Sequence, residues 1–343
     1  MSNENSNIEF NTLKTSVIIA TYNGSKYILH ELESIKNQTV KIDEVIISDD
    51  ASTDNTCEII KEFISQNNLS NWQVLEHLTN IGFSKNFMSA LYLASGDVVF
   101  LADQDDIWAN NKVEKILDIF RKDSSIKAVA SEFQFIDGVG NLINAPKKIP
   151  YSKCLYNNKI SYIKPESNVI RSYIRGCTMC VSKDVIQYAK DNSLENMASN
   201  ALLGHDWILW MLASLLGNAC ILHAPLIKYR FHESNTSLTA ITRKELLGSK
   251  KNRVQGIQKS IQIHSFILEH LLDYTNQNKK VFNLISKCIN FEKKRLRLVE
   301  KGNIFDFLLL FLDVDKYSIY YNSFFKGIRV YIGDYLYSKK GDK

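Results

Sequence analysis

The sequence predicts an α/β domain built on a mostly parallel sheet with helices on both faces, and three observations predict it. Short apolar runs recur at Ser16–Ala20 (SVIIA), Glu44–Ser48 (EVIIS), Trp72–Leu75 and Asp97–Ala102. Their apolar residues are mostly consecutive, the pattern of strands buried on both faces. Between the runs lie segments with apolar residues at helical spacing: Ile28, Leu29, Leu32 and Ile35, then Cys57, Ile60 and Ile64, then Phe87, Leu91 and Ala94. Strand and helix in alternation specify a parallel sheet covered on both sides. Three of the runs also end in polar clusters: Thr21-Tyr22-Asn23-Gly24, Asp49-Asp50-Ala51-Ser52 and Asp103-Gln104-Asp105-Asp106. Ligands of open α/β sheets bind beyond the carboxyl ends of the strands, so the site is expected along that edge.

The remaining elements follow in order. After Asn110 a helix carries Val113, Ile116, Leu117 and Phe120, and Ala128–Ile136 reads as a strand closed by the turn Asp137-Gly138-Val139-Gly140. Residues 141–170 have no clear period and read as a long loop. Gly176–Ser182 reads as a strand, Gly204-His205-Asp206-Trp207 opens an apolar helix reaching about Leu216, and Cys220–His223 and Leu226–Phe231 read as two further strands. From about Thr242 the pattern is helical, basic and increasingly aromatic. The expected organisation is a polar extension over residues 1–14, an α/β domain over 15–237 and a helical region over 238–343, with the boundary near 235–245.

Composition narrows the function classes. The chain has 343 residues, 45% of them hydrophobic, enough for a well-filled core. No stretch approaches the ~20 apolar residues of a membrane span, and MSNENSNIEF lacks a signal-peptide core, so the expected compartment is cytoplasmic, with peripheral contact to the inner face of the membrane as an option. Cys177 and Cys180 have zinc-like spacing but lack a second Cys/His pair, so all six cysteines read as small hydrophobes. The net charge of +5 is uneven: Ile241–Lys301 holds fourteen Lys/Arg against five Asp/Glu. No nucleic-acid motif accompanies that charge, so nucleic acid is not an expected partner. The tail over 304–343 interleaves aromatic and aliphatic residues with Lys and Arg, which suits either an anionic membrane surface or an ordinary packed subdomain.

Asp103, Asp105 and Asp106 crowd three carboxylates into four residues. In an extended stretch residues two apart face the same way, so Asp103 and Asp105 are expected to point together and to suit Mg²⁺ or Mn²⁺. The alternative is capping of a helix starting near Trp108. Asp49 and Asp50 suit hydrogen bonds to a nucleotide base or ribose, or a capping role; Asp54 is the better cap. His232 in "YRFH" is within sequence reach of a metal role, and Arg230 of a diphosphate.

Taken together, the segments "VIIATYNGSKYILHELESIKNQT", "EVIISDDASTDNT", "NIGFSKNFMSALYLASGDVVFLADQDDIW", "GCTMC" and "GHDWILWMLASLLGNACILHAPLIKYRFH" resemble the inverting, GT-A type glycosyltransferases of family 2 over most of residues 15–237. The resemblance implies a nucleotide-sugar donor held by Thr21, Tyr22, Asn23, Asp49 and Asp50 around the base, with Asn80, Gly82, Lys85, Gln104 and Arg230 also on the donor. It implies a divalent metal, Mg²⁺ or Mn²⁺, on Asp103, Asp105 and His232, with Asp103 serving the ribose as well. Asp206 would be the general base, drawing the proton from an acceptor hydroxyl as it attacks the anomeric carbon. Helix capping is the competing role for Asp206.

Two departures stand out. The usual acidic pair at the base position is His205-Asp206, and the Gln-x-x-Arg-Trp motif of processive synthases is absent, which implies one sugar per encounter. Similar sequences transfer rhamnose, galactose or glucose, so the implied donor is of the UDP-Glc/UDP-Gal or dTDP-rhamnose class. The implied acceptor is an undecaprenyl-diphosphate-linked oligosaccharide of a bacterial surface polysaccharide such as O-antigen or capsule. A sugar-1-phosphate nucleotidyltransferase would carry a Gly-rich, Arg/Lys-containing loop after the first strand, where "TYNGSKY" has one Gly and one Lys. A non-catalytic nucleotide-sugar-binding subunit would show an eroded Asp-x-Asp or a missing base. The pattern assigns no role to His205 or Arg175.

Overall fold

The computed structural model describes residues 13–146, 156–170, 174–195, 204–232, 235, 249–270, 279–313, 316–317 and 324–339. Its strands are β1 (Thr15–Thr21), β2 (Glu44–Asp49), β3 (Trp72–Glu76), β4 (Val98–Asp103), β5 (Ile107–Trp108), β6 (Ile126–Ile136), β7 (Ile160–Ile163), β8 (Met179–Ser182) and β9 (Asn218–Arg230). They form one sheet in the order β3-β2-β1-β4-β8-β6-β9-β5, with β7 also paired to β9. The first four are parallel, with β1 central: Val17 faces Val45 on one side and Phe100 on the other. The two faces of β1 are buried in separate cores, Ile18 in one and Val17 and Ile19 in the other, which is why this strand reads as a continuous apolar run. Beyond β4 the sheet turns mixed, β8 being antiparallel to both β4 and β6.

The helices are α1 (Ile28–Lys36), α2 (Thr56–Gln66), α3 (Phe83–Leu91), α4 (Lys112–Lys122), α5 (Pro165–Asn168), α6 (Lys183–Asp191), α7 (His205–Leu216), α8 (Lys250–His270), α9 (Lys279–Lys301), α10 (Ile304–Phe311) and α11 (Phe324–Ser338). Two cores separate them. Ile28, Leu32 and Ile35 of α1, Ile60 and Phe63 of α2, and Val113, Ile116, Leu117 and Phe120 of α4 pack on one sheet face. Phe87 and Leu91 of α3, Val185 and Ala189 of α6, and Ile208 and Leu212 of α7 pack on the other. Helix α7 is apolar all round because a second layer covers its outer side: Ile263 and Ile267 of α8 and Val281, Ile285 and Ile289 of α9 join the same core. The basic C-terminal region is thus rooted in the α/β domain. Most of the expected boundary, residues 236–245, lies outside the described residues.

Beyond α9 a small separate core gathers Phe291, Leu298, Leu310, Tyr317, Val330 and Tyr331. Below it sits a buried ion cluster: Asp334, with no exposed surface, accepts from Arg253 Nη1 at 2.5 Å, Arg295 Nε at 2.9 Å and the Tyr317 hydroxyl at 2.8 Å.

Several expectations about elements differ from the structure: the strand expected over Gly176–Ser182 starts only at Met179, after a 3-10 turn over Gly176–Thr178, and three others follow. Residues 160–163 form a strand, antiparallel to Ala219–Leu222, where the sequence reads as loop; the segment is only four residues long and mostly exposed, too short to show a period. The two strands expected at Cys220–His223 and Leu226–Phe231 are one, carried past Pro225 by register shifts opposite Ser131, Glu132 and Phe133. Helix α4 starts at Lys112 and not near Trp108, because Ile107 and Trp108 are drawn into pairing with Lys228 and Ile227.

Candidate active site

The three polar clusters lie along one edge of the sheet, and most of their side chains are spent on fixing that edge. Thr21 Oγ1 donates to Asp49 Oδ1 at 2.7 Å, and the same carboxylate accepts from Ser52 N and Oγ at 2.7 and 2.6 Å. Asp49 ties the loop after β1 to the loop after β2. Asn23, at φ 49°, accepts from Thr53 N, and its own N–H donates to Ser52 Oγ. Such a left-handed position is one that Asn tolerates. Gln104 grips the backbone of Tyr22 from both sides, accepting from its N–H at 2.8 Å and donating to its carbonyl at 3.0 Å. The buried Asp50 carboxylate accepts from Ile81 N at 2.6 Å and Gly82 N at 2.9 Å, while Asn80 Nδ2 donates to the Asp50 carbonyl. It anchors the turn ahead of α3, where Gly82 takes φ 88°. Tyr22, Asn23, Asn80 and Lys85 are the exposed residues of the expected donor-binding set.

After Asp103 the chain leaves the strand, so the two-residue period that would aim Asp103 and Asp105 together no longer applies. Asp105 instead turns to His232: its Oδ2 lies 2.7 Å from Nε2 of that ring, with Asn235 Nδ2 at 3.3 Å. Asp106 returns beneath the sheet edge, fully buried, and its Oδ1 accepts from Arg230 N at 3.0 Å. The close group is therefore Asp103, Asp106 and Cys177, whose donor atoms lie within 4.8 Å of one another. The expected trio of Asp103, Asp105 and His232 is not the one brought together. Capping fails as an account of the three acids, since α4 begins six residues after Asp106.

Arg230, expected at a diphosphate, is buried instead. Its Nε donates to the Asp105 carbonyl, its Nη1 to the carbonyls of Asp137 and Gly138, and its guanidinium lies 4.8 Å from the Tyr27 ring centre. Five donors in a rigid fork suit the stapling of several loops at once, and here they hold the Asp105–Asp106 turn against β9. Arg175 is the half-buried cation nearer the acids; it lies over the Tyr229 ring at 4.6 Å and eases the charge on Asp103.

The electrostatics call for a cation. Burial, then the neighbouring Asp105 charge, pushes the Asp103 carboxyl up to about 7. Burial and the neighbouring Asp105 and Asp103 charges raise Asp106 well above the usual carboxylate range, and beyond the Cys177 thiol its Oδ2 meets no donor among the described residues. Behind them, fully buried Glu31 is raised too, by burial and then by Asp106. Lys112 lies alongside, its ammonium donating to the Cys177 carbonyl at 3.1 Å and resting 3.4 Å from the centre of the Trp108 ring; burial lowers it to about 8. A buried carboxylate oxygen with only a thiol for a partner costs stability, and a divalent ion between Asp103 and Asp106 would remove that cost. The two carboxylates suit a hard ion such as Mg²⁺ or Mn²⁺, while the Cys177 thiol, raised well above its ordinary value by burial, stays protonated and is a poor ligand for either.

Asp206 faces this group from the first turn of α7, where its charge raises Asp103. Its Oδ1 accepts from Trp207 N at 2.8 Å, so it partly serves the helix end as well. Beside it His205 is buried against Phe87, ring centres 4.2 Å apart, with both ring nitrogens unpartnered; burial lowers its pKa. A Cβ on Gly176 would sit 3.1 Å from His205 Nε2, close enough to push that ring by a few tenths of an ångström, and in ordinary contact with Asp206 Cβ at 3.4 Å. Glu31 and Lys112 are not among the residues that the sequence motifs point to. The signal was present: Glu31 falls three after Ile28 and four before Ile35, on the apolar face of α1.

With this geometry established, comparison with known proteins is decisive. Residues 16–177 match the model of glycosyl transferase family 2. That segment is a glycosyl transferase family 2 domain. Its relatives include dTDP-rhamnosyl transferase RfbG of Shigella flexneri, 25% identical over 315 residues that cover 86% of this glycosyltransferase and all of RfbG. The UDP-Glc:alpha-D-GlcNAc-diphosphoundecaprenol beta-1,3-glucosyltransferase WfgD of Escherichia coli is 32% identical over 145 residues, 41% of this chain and 55% of WfgD. Chondroitin synthase of Escherichia coli is 39% identical over 150 residues, and there the chain spans only 20% of its relative's length. The crystal structure of S. aureus TarS 1-349 in complex with UDP-GlcNAc superposes with TM-score 0.54 at 16% identity, covering 94% of the glycosyltransferase and 89% of TarS, which fixes the fold as GT-A.

Proposed function

We propose that this glycosyltransferase moves a hexose or deoxyhexose from a nucleotide sugar of the UDP-Glc/UDP-Gal or dTDP-rhamnose class to a lipid-linked oligosaccharide, inverting the anomeric centre and adding one residue per encounter. The observation that carries the reading is the pairing of Asp206, at the first turn of α7, with the buried acids of the β4 edge. The two lie close enough to interact, so a donor whose diphosphate rests on the β4 edge would present its anomeric carbon towards α7. RfbG and WfgD support the donor classes by their names, and WfgD supports a diphosphoundecaprenol-linked acceptor.

In this reading the exposed Tyr22 and the backbone of the Asp49–Asp50 edge border the base, with Asp49, Asp50, Gln104, Asn23 and Arg230 shaping the pocket walls through the loops they hold. Mg²⁺ or Mn²⁺ on Asp103 and Asp106 would supply charge neutralisation to the departing nucleoside diphosphate. Asp105 orients His232. An acceptor hydroxyl attacks the anomeric carbon as its proton passes to Asp206, the bond to the diphosphate breaks, and a single displacement inverts the centre. His205 lines the same opening as a neutral imidazole able to accept or donate one hydrogen bond to a sugar hydroxyl.

The test is a panel of nucleotide sugars incubated with Mn²⁺ and a synthetic lipid-linked acceptor, the product's anomeric configuration being read by NMR. Transfer of one sugar with inversion is expected. A product of retained configuration, or nucleotidyl transfer to a sugar phosphate, sinks the reading.

A further inference from the structure

Helix α10 is inside out. Its carboxylate Asp306 points inward, paired to Arg297 at 2.5 Å and held by the Asn303 side chain, and Asp313 just beyond it is buried against Lys294 and Lys316. Its hydrocarbon points outward: Ile304, Phe305, Leu308, Leu309, Phe311 and Leu312 are exposed, Phe305 by 66% and Leu312 by 77%. Helix α11 adjoins it, Tyr331 stacking on Phe307 at 4.5 Å and donating to the Phe307 carbonyl. Along α11 the exposed stripe, spaced four, three, four and three, is Phe325, Arg329, Ile332, Leu336 and Lys339, with Phe325 82% exposed.

Charge selects the occupant. Between Lys301 and Lys339 every described carboxylate (Asp306, Asp313 and Asp334) is buried in an ion pair, while the exposed charges, Lys301, Lys326, Arg329 and Lys339, are all basic. A second copy docked face to face would set like charges against one another, with no exposed carboxylate among the described residues between Lys301 and Lys339 to answer them. An ordinary protein surface would leave the aliphatic face uncovered. A bilayer with anionic headgroups satisfies both, taking Phe and Leu into its interface and Lys and Arg at its surface. We infer that α10 and the exposed stripe of α11 form a monotopic seat on anionic membranes. This deepens the reading of a lipid-linked acceptor and rests on it for purpose; its evidence is the burial pattern alone.

The full-length protein is tested by flotation with phosphatidylcholine vesicles containing or lacking phosphatidylglycerol. It should float with the anionic vesicles and lose that behaviour in Phe305→Ser/Leu308→Ser/Leu312→Ser, whose positions are exposed and should leave the melting temperature unchanged. Lys326→Gln/Arg329→Gln/Lys339→Gln should weaken binding about fivefold per charge, and added salt should mimic it. As a check independent of the triple variants, the single variant Phe305→Trp should shift its emission to the blue on adding anionic vesicles. Absence of flotation, flotation unchanged by the apolar triple variant, or a stable dimer in vesicle-free solution that this variant dissolves would overturn the seat. The two readings fail separately: a protein that floats but transfers to no lipid-linked acceptor refutes the acceptor class, and one that transfers to a detergent-solubilised acceptor without floating refutes the seat.

Discussion

Two regions of this molecule bury carboxylates in opposite ways. At the β4 edge Asp103 and Asp106 are gathered with Cys177 and backed by Glu31, with no guanidinium in an ion pair with them among the described residues, and beyond the Cys177 thiol the Asp106 Oδ2 meets no donor there. In the C-terminal helices each buried acid has an Arg or Lys against it, with Asp334 gripped by Arg253, Arg295 and Tyr317. The difference separates a site from a scaffold. Partnered acids hold helices in place, while crowded, under-partnered ones store repulsion that an incoming cation relieves.

The largest effect that would sharpen this contrast lies at the site itself. Asp206→Asn keeps the size and the hydrogen bond to Trp207 N but cannot take a proton. Single-turnover transfer should fall by about 10²–10⁴-fold while nucleotide affinity holds. If transfer survives, Asp206 is a helix cap.

On the scaffold side, Asp334→Ala removes the carboxylate shared by Arg253 and Arg295, leaving Glu292 as the acid against Arg295, and should cost about 3–5 kcal/mol in denaturant unfolding. A loss below ~1 kcal/mol would show the cluster to be wet or rearranged. Next comes Asp106→Asn. Removing one crowded charge should leave metal-free stability equal or higher, yet weaken Mn²⁺ binding by calorimetry about 10–100-fold, whereas Asp105→Asn, which breaks the contact to His232, should weaken it less. The reverse order would restore Asp105 as the ligand.

The smallest effect is on pH. Asp103 is raised to about 7 from the ordinary Asp value, so folding takes up its proton and the metal-free protein loses stability as pH climbs towards and through 7. His205 and His264, lowered by burial, act below 6.5, and Lys112 acts above about 8. Between pH 6.5 and 8 the carboxylates therefore dominate. Melting in the presence of chelator should drop over that window, and Mn²⁺ should stabilise more at pH 8 than at 6.5. A melting point that rises with pH in chelator contradicts the crowding argument.

Sequence alone determined the parallel half of the sheet, the helices that cover it and the edge on which the polar clusters fall. These follow from local periodicity, which each segment carries by itself: β1, β2 and β4 appear within one or two residues of their expected ends, and α7 starts at His205 as read. The tertiary structure decided what local pattern cannot hold. Ile107 and Trp108 became a strand only because β9, some 120 residues later, offers an edge to pair with. That pairing ended the extended run at Asp103, turned Asp105 to His232 and sent Asp106 beneath the sheet to the N–H of Arg230. Likewise Arg230 was drawn inward by three carbonyls distant in sequence, and the carboxylates of α10 and its C-terminal end were drawn inward by Arg297, Lys294 and Lys316. A charged side chain goes wherever its partners are, and partners supplied by distant parts of the chain are invisible until the chain has folded.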